Sequence, residues 1–571
     1  MNSIPRLSLL VTASLLLACE PGQELLDPPE GLDQQGRTMT AGGKADTLTD
    51  GPAFAPLPAG AALDRPLEAL FAPDDPVVTL ELALIDEVIK ARKADSQSPL
   101  AEGQNPYRIR YAVYNLRNDK IIARLGDAHA DGVDVQILME SDQLDPDRTW
   151  NQADEILAAR GFELVTDHRQ LTAQTRVSAD LVGIKASGLM HLKARIFDRP
   201  GGRRVLSGSM NPGDNAVANE ETLHLVNDPT LTARYAAAFE AVLDGQKIPN
   251  TWDDDAAVNV MFTPVSTGPR AATHLLKWLE AEQEQILLMV FSLREVTAPG
   301  VNDSLLQILS AKAAAGVPVH VITDRKQSDG VDADGNPQYY NDKTEDKLRA
   351  AGVHVYEATN RATPFTAMHH KVAVLGRTSI RVITDAANWT RAGLGNRTKV
   401  ADNVESVLFI DSARLDNGRT GRRYLAQWVW VLKRYAHQSA SDGEPADDDV
   451  FAALSALPGW PAQAVAFNAH QAHTSWGETV HVRGDHLVLG QWGMVHPGVP
   501  LATDAGTYPT WYSTDANGIT LPLGTPFEWK LTASHASGPA RWETGGNRRD
   551  RAAPAPLLPL EPLQLEATWR N

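Results

Sequence analysis

Arg108-Ile-Arg-Tyr-Ala-Val-Tyr-Asn-Leu-Arg117 and Gln285-Ile-Leu-Leu-Met-Val-Phe-Ser-Leu-Arg294 are two versions of one segment, an apolar run leading into a polar loop. Each is followed by apolar residues at helical spacing that end at a glycine, then by a Val-rich run. In the first copy these are Ile121 to Ala130, then Gly132 to Leu138; in the second, Leu305 to Ala315, then Gly316 to Ile322. An amphipathic helix that stops at glycine and gives way to a β-branched run marks an α/β crossover. Another helix-to-strand step also recurs, Ala158 to Leu164 and Leu348 to Val355. The apolar runs predict strands buried on both faces. A repeat of about 180 residues is far too long for a solenoid, whose periods are roughly 20–50 residues. It predicts a duplicated α/β fold, with halves at 61–250 and 251–438 related by a pseudo-twofold axis.

Matching places in the two halves carry the same reactive residues. The first half has His191-Leu-Lys193 with Asp198 five residues on, then Gly208-Ser209-Met210-Asn211 and Asn219-Glu220-Glu221. The second has Met368-His369-His370-Lys371, then Asp385-Ala386-Ala387-Asn388 and Asn403-Val404-Glu405. Among 16 histidines one His-x-Lys match carries little weight. Two matched sets in the same order and at nearly the same spacing carry a great deal. The residue types suit attack on a phosphodiester anion. Lys193 and Lys371 supply positive charge, and Asn211 and Asn388 can donate to the non-bridging oxygens. The ammonium groups help keep an imidazole neutral enough to attack. Glu221 and Glu405 would each accept a proton from a ring nitrogen, fixing the tautomer.

This paired motif resembles the phospholipase D superfamily over roughly residues 70–440. The resemblance implies one active site shared by two halves, with no metal or other cofactor. One histidine attacks phosphorus to give a phosphohistidine. The other protonates the leaving oxygen and then activates water or an acceptor alcohol. His191 is expected as the nucleophile and His369 as the general acid, with Asp198 part of the first motif. Gly376 replaces the corresponding Asp of the second motif, and Asp385-Ala386 replace Gly-Ser, which removes one possible phosphate donor. His370, on the opposite strand face by period two, is expected to be structural. His129 and His320 lie outside the pattern. Asp329, Asp332, Asp334 and Asn336 sit in a Gly-rich loop whose spacing fails the EF-hand rule, so it reads as a solvated loop.

The only cysteine is Cys19, directly after a charged start and the mostly apolar run Leu9 to Ala18. The pattern is that of a secretory signal at 1–18, and Cys at the cut resembles a bacterial lipoprotein signal in which the thiol receives the lipid. Residues 19–60, rich in Pro, Gly, Asp and Thr, read as a flexible tether. An exported, envelope-anchored or secreted chain is expected, with no internal disulfide. A net charge of -18 argues against a general nucleic-acid coat, which needs a basic face.

Ser439 to Asp449 is polar and acidic, and 439–462 reads as a linker. Seven of the 13 tryptophans lie after residue 459, among short alternating runs that predict a β-sandwich over 463–571. Its landmarks are Leu489-Gly490-Gln491-Trp492, Tyr508-Pro509-Thr510-Trp511, Phe527-Glu528-Trp529-Lys530, Trp542-Glu543 with Asn547-Arg548, and the closing Trp569. They resemble the family-20 carbohydrate-binding module, the starch-binding domain. The resemblance implies that Trp492 and Trp542 stack on glucose rings while Lys530 and Asn547 bond the hydroxyls. Trp511 and Trp569 are expected in the core. A second sugar site is doubtful, since His481 stands where an aromatic is expected. The linker predicts a tail that folds by itself and shares no core with the α/β halves.

The expected function is that of a phospholipase D-like phosphodiesterase, hydrolytic and possibly phosphatidyl-transferring. It acts on a phospholipid or other phosphodiester, is anchored to a membrane by lipid and is targeted to a starch- or glycogen-type α-glucan. A superfamily nuclease and an inactive glucan-binding lipoprotein are the alternatives; nucleic acid is disfavoured by the charge.

Overall fold

The computed structural model describes residues 51–571 except 96–103, 145–150, 214–215, 329–343, 359–366, 396–401, 436–446, 515–517, 537 and 559–561. Cys19, the signal segment, the tether before residue 51, the Asp329–Asn336 loop and the linker up to residue 446 lie outside the described residues.

The first half contains β1 (Leu67–Ala72), β2 (Arg108–Val113), β3 (Asp134–Glu140), β4 (Leu164–Val165), β5 (Leu181–Ile184), β6 (Ala194–Arg199), β7 (Gly202–Gly208) and β8 (Glu221–Val226). They form one sheet in the order β1-β8-β7-β6-β2-β3-β5-β4. The second half contains β9 (Val258–Thr263), β10 (Ile286–Val290), β11 (Val319–Asp324), β12 (His354–Ala358), β13 (Lys371–Leu375), β14 (Arg381–Asp385) and β15 (Glu405–Asp411). Their order is β12-β11-β10-β13-β14-β15-β9. Strands joined through helices are parallel, as β2 with β3 and β10 with β11. Strands joined by tight turns are antiparallel, as β6 with β7 and β13 with β14. Both sheets are therefore mixed. Gly132 and Gly316, at φ +79° and +83°, close the helices Asp119–Ala130 and Leu305–Ala314 in the left-handed conformation that glycine adopts without strain.

This topology gathers the motif residues. β6 begins immediately after the first His-x-Lys sequence and β13 at the lysine of the second, β8 and β15 begin at the two glutamates, and β7 and β14 end just before the asparagines. All these strand ends meet at the seam between the halves. There the His191 N–H donates to the Val404 carbonyl at 3.0 Å and the Val404 N–H to the Leu189 carbonyl at 2.8 Å. Symmetrically, the His369 N–H donates to the Glu220 carbonyl at 3.0 Å and the Glu220 N–H to the Ala367 carbonyl at 2.9 Å. One apolar cluster crosses the seam and includes Met190, Leu192, Met368, Val404, Phe239 and Trp428. Buried Asp385 adds a polar tie, accepting from Ser207 at 2.8 Å and Tyr235 at 2.7 Å, both of the first half.

The tail contains β16 (Ala462–His470), β17 (Thr479–Gly484), β18 (Val499–Pro500), β19 (Trp511–Tyr512), β20 (Ile519–Pro522), β21 (Pro526–Ser534), β22 (Arg541–Trp542), β23 (Arg548–Arg551) and β24 (Leu563–Thr568). β16 pairs with β19, β20 and β24, while β17, β18, β21, β22 and β23 form the facing sheet. Trp511 and Trp569 are buried between them, as expected, with Phe467 and Trp529.

Two boundary expectations need correction. Residues 447–455 of the supposed linker form the helix Asp447–Ser455, which buries Val450 and Leu454 while Lys433 binds Asp447 and Asp448. The tail also shares core with the α/β halves: Leu523 joins the cluster around Trp428, and Leu557 joins that around Leu70. The sequence predicts both as separable because a run of acidic and small residues looks solvated until a partner surface is known. Likewise, Ala53, Phe54 and Leu57, at the end of the supposed tether, pack on the first half.

Candidate active site

The two histidines face each other's glutamates. His191 Nδ1 lies 2.8 Å from Glu405 and His369 Nδ1 lies 2.8 Å from Glu221, so each dyad is built from both halves. A carboxylate is an acceptor, so Nδ1–H donates and Nε2 carries the lone pair in the neutral ring. Nε2 is thus the atom that each ring can present to substrate. The asparagines of the Asn-x-Glu sequences make the exchange rigid. Asn219 Oδ1 accepts from the Ala367 N–H at 2.9 Å, and Asn403 Oδ1 accepts from the Leu189 N–H at 3.0 Å. Each asparagine thereby clamps the chain two residues before the opposite histidine.

The site is dry and positive. Lys193 and Lys371 are 0% and 1% exposed, and their ammonium groups donate to the His191 and His369 carbonyls at 3.0 and 2.9 Å. Out of water, charges and dipoles act at close to full strength on an anion. Tyr114 meets the His191 ring edge-on at 5.5 Å, and Phe291 meets His369 at 4.6 Å. Sequence reasoning gave these two aromatics no role, although they occupy one position of the repeated segment. Asn211 and Asn388 sit in matched turns after β7 and β14, their carbonyls accepting from the residue two further on at 2.8 Å. The segments after β2 and β10 pin those turns: the Arg117 N–H donates to Pro212 and the Arg294 N–H to Trp389, both at 2.9 Å.

Two expected roles are not supported. Asp198 lies at the far end of β6, about 17 Å along the strand from Lys193, where it pairs with Arg110 and Arg203. It ties β6 to its neighbours β2 and β7 and does not reach the histidines, so Gly376 in the second half costs the site nothing. Ser209, read as a possible phosphate donor, instead donates to Glu221 at 2.6 Å. His370 is buried on the other strand face, bonded to Thr222 at 2.8 Å. Burial and then Lys371 hold its imidazole well below the ordinary range, so it is neutral, in keeping with a structural role. Among the described residues, no cluster of three His, Cys, Asp or Glu could hold a metal ion.

In the tail, the Trp492 and Trp542 rings lie 6.4 Å apart at an interplanar angle of 43°, and Trp542 is exposed. Lys530 donates to the Gly545 carbonyl at 2.7 Å and Asn547 to Glu528 at 2.8 Å, so the loop bearing Asn547 is fixed beside the two indoles. Two tilted, accessible indoles with adjacent donors make an apolar and polar surface suited to a sugar. His481 is half-buried, whereas Trp476 is 99% exposed and was not singled out from the sequence.

Comparison with known proteins agrees with both parts. The family model described as "Cardiolipin synthase, PLD-like domain" matches residues 101–243 and 275–418, together half of the chain. The starch binding domain model matches 462–553. An α-amylase of Streptomyces violaceus is 39% identical over 77 residues, 14% of this chain and 12% of that enzyme. The family 20 module of the maltotetraose-forming amylase of Pseudomonas saccharophila is similar at 26% identity, covering 19% of this chain and 99% of that one, with a TM-score of 0.15. Nuc of Salmonella typhimurium, a phospholipase D family member, is similar at 20% identity over 30% of this chain and 90% of its own, with a TM-score of 0.22. With two copies of the matched domain on one polypeptide and a starch-binding domain behind them, the chain belongs to the phospholipase D-like family.

Proposed function

We propose that the protein is a phosphodiesterase that works through a covalent phosphohistidine on His191, with His369 as general acid and base. The observation that carries this reading is the exchange of glutamates between the two histidines. It fixes Nδ1–H on both rings and leaves both Nε2 atoms to serve the reaction. The lone pair of His191 Nε2 attacks phosphorus as the bond to the leaving oxygen breaks, and His369, which enters this step as the imidazolium with its Nδ1–H on Glu221, gives that oxygen its Nε2 proton. Neutral His369 then takes a proton from water or an alcohol, which displaces His191 and releases the phosphate product. Lys193, Lys371, Asn211 and Asn388 would hold the non-bridging oxygens through both steps. Glu405 supports the positive charge that develops on His191 during attack. These side chains supply the charge stabilisation, so the reaction is expected to run without a metal.

The starch-binding domain would keep the enzyme on α-glucan, and a lipid on Cys19 would hold it at the cell envelope. A panel of phosphatidylcholine, cardiolipin and supercoiled plasmid, assayed in EDTA, tests the first claim. Turnover that survives chelation and disappears in His191→Ala supports it. Loss of all activity in EDTA, restored by a divalent ion, rejects the mechanism. Plasmid cleavage alone would identify a nuclease. Release of Cys19→Ser from membranes that retain the wild type tests the anchor; wild type already in the soluble fraction rejects it.

A further inference from the structure

Glu220 breaks the symmetry of the site. Its counterpart in the other half is Val404, and both residues do the same work in the backbone, each accepting the N–H of the opposite histidine at 3.0 Å. Val404 ends in a methyl pair. Glu220 ends in a carboxylate that is 0% exposed and lies on the strand face opposite Glu221.

That carboxylate is held by one helix, Arg419–Tyr435. Arg434 pairs with it, the Tyr435 hydroxyl donates at 3.2 Å, and Gln427 Nε2 donates at 3.2 Å. Gln427 also lies 3.5 Å from His370 Nε2. These partners are themselves held by a residue of the starch-binding domain. Arg551, the last residue of β23, donates to Gln427 Oε1 at 2.8 Å. Its guanidinium also lies 3.9 Å from Asp74, which binds Arg434 through both oxygens at 3.1 and 3.2 Å. Arg434 and Arg551 both lie over the Trp430 ring, at 5.0 and 5.2 Å. Two routes thus run from Arg551 to Glu220, one through Gln427 and one through Asp74 and Arg434. The first half supplies only Asp74 and Glu220 to them.

A buried carboxylate is stable only while its partners meet its charge and hydrogen bonds. Loosening them lets the Glu220 segment shift, and this segment carries both the His369 backbone contact and the Glu221 side chain that sets the His369 ring. We propose that Arg551 is a positioning residue for His369. By docking on the helix Arg419–Tyr435, the starch-binding domain aims one of the two histidines, and it is a working part of the phosphodiesterase site as well as a glucan anchor. The His191 dyad has Val404 at this place and lacks the equivalent ionic support. This rests on the reading of His369 as general acid.

A general acid matters for a poor leaving group and hardly at all for a good one. The test therefore compares two substrates in the full-length protein: methyl p-nitrophenyl phosphate, whose nitrophenolate leaves without a proton, and the dialkyl phosphodiester turned over best. Arg551→Met should lower kcat/KM, which reports the step in which the leaving group departs, about tenfold on the dialkyl ester and less than about twofold on the nitrophenyl ester, whereas kcat on both also carries the second step. Affinity for β-cyclodextrin should not change, and Arg551→Lys should restore part of the loss. Gln427→Met, which leaves the starch-binding domain untouched, should show the same leaving-group selectivity. The 15N shifts of the His369 ring should move in both variants while those of His191 stay in place. Equal losses in kcat/KM on the two substrates, or unmoved His369 shifts, would overturn the proposal and leave Arg551 as a staple between domains. If the wild type turns over neither ester, or His191→Ala matches it, the phosphodiesterase reading itself has failed, and this proposal fails with it.

Discussion

The two halves of the α/β region agree wherever a phosphodiester would be handled and differ wherever they meet something else. Histidine, lysine, asparagine and glutamate recur in both, and so do the asparagine clamps Asn219 and Asn403. The differences fall outside the reacting atoms. Asp198 ties three neighbouring strands of the first sheet together, and Gly376 takes its place in the second. Gly208 ends β7, while Asp385 ends β14 at φ 110° and holds Ser207 and Tyr235 across the seam. An aspartate in that left-handed region is strained, and its two buried hydrogen bonds offset the strain. Glu220 reaches toward the starch-binding domain, where Val404 stays apolar. Duplication kept the chemistry and released the rest to fit each half to its neighbours.

If that is right, the shared residues should be indispensable and the differing ones should not. His191→Ala is expected to cost at least about 10⁴-fold in kcat, since it removes the nucleophile outright; a loss below about tenfold breaks the comparison. Glu405→Gln and Glu221→Gln should each cost roughly a thousandfold by disturbing the ring tautomers. Stopped-flow assays on the nitrophenyl ester would sharpen the distinction, because only Glu405→Gln should slow the first step there. In the tail, Trp542→Ala should weaken β-cyclodextrin binding about thirtyfold by tryptophan fluorescence, the loss expected for a stacking indole. Unchanged affinity would remove the sugar site from Trp542.

Asp198→Asn should leave kcat within about twofold while lowering stability by about 1–3 kcal/mol, as a partly buried ion pair is broken. Comparable loss of activity and stability would put Asp198 back in the site. The smallest effect concerns His320, whose imidazole burial pushes down to about 3. Its folded value lies below the ordinary 6.5, so its contribution to stability is present above pH 6.5 and is lost as pH falls toward 3. His320→Gln should flatten the decline of Tm across that window. An unchanged slope would show that His320 does not titrate there.

Most of the site was legible because its signal is a repeat. Two matched sets of His, Lys, Asn and Glu cannot be explained by core packing alone, so the residues announced themselves. The exchange of glutamates between halves was not legible, because nothing in either copy says which histidine its glutamate will meet. That is decided by the seam, where Val404 and Glu220 pair with the opposite chain segment. Asp198 and Ser209 were misread for a related reason. Both belong to the same local sequence as the reacting residues, but five residues of strand carry Asp198 away from the cleft, and the turn at Ser209 directs its hydroxyl to Glu221. The docked tail was hidden by composition. Arg551 and Leu557 stand in an ordinary stretch of basic and small residues, and only the fold gives them partners, Gln427 and Asp74 for Arg551 and the cluster around Leu70 for Leu557.

The most direct measurement is to stop the reaction halfway. His369→Asn should still attack a nitrophenyl ester through His191, yet be unable to activate water for the second step. Quenching this variant in alkali after one turnover and mapping the peptides by mass spectrometry should show a phosphoryl group on the peptide that carries His191, with a burst of nitrophenolate equal to the enzyme present. A phosphoryl group on any other residue, or a full burst with every peptide unmodified, would contradict the central claim that the two halves build one site around a His191 nucleophile.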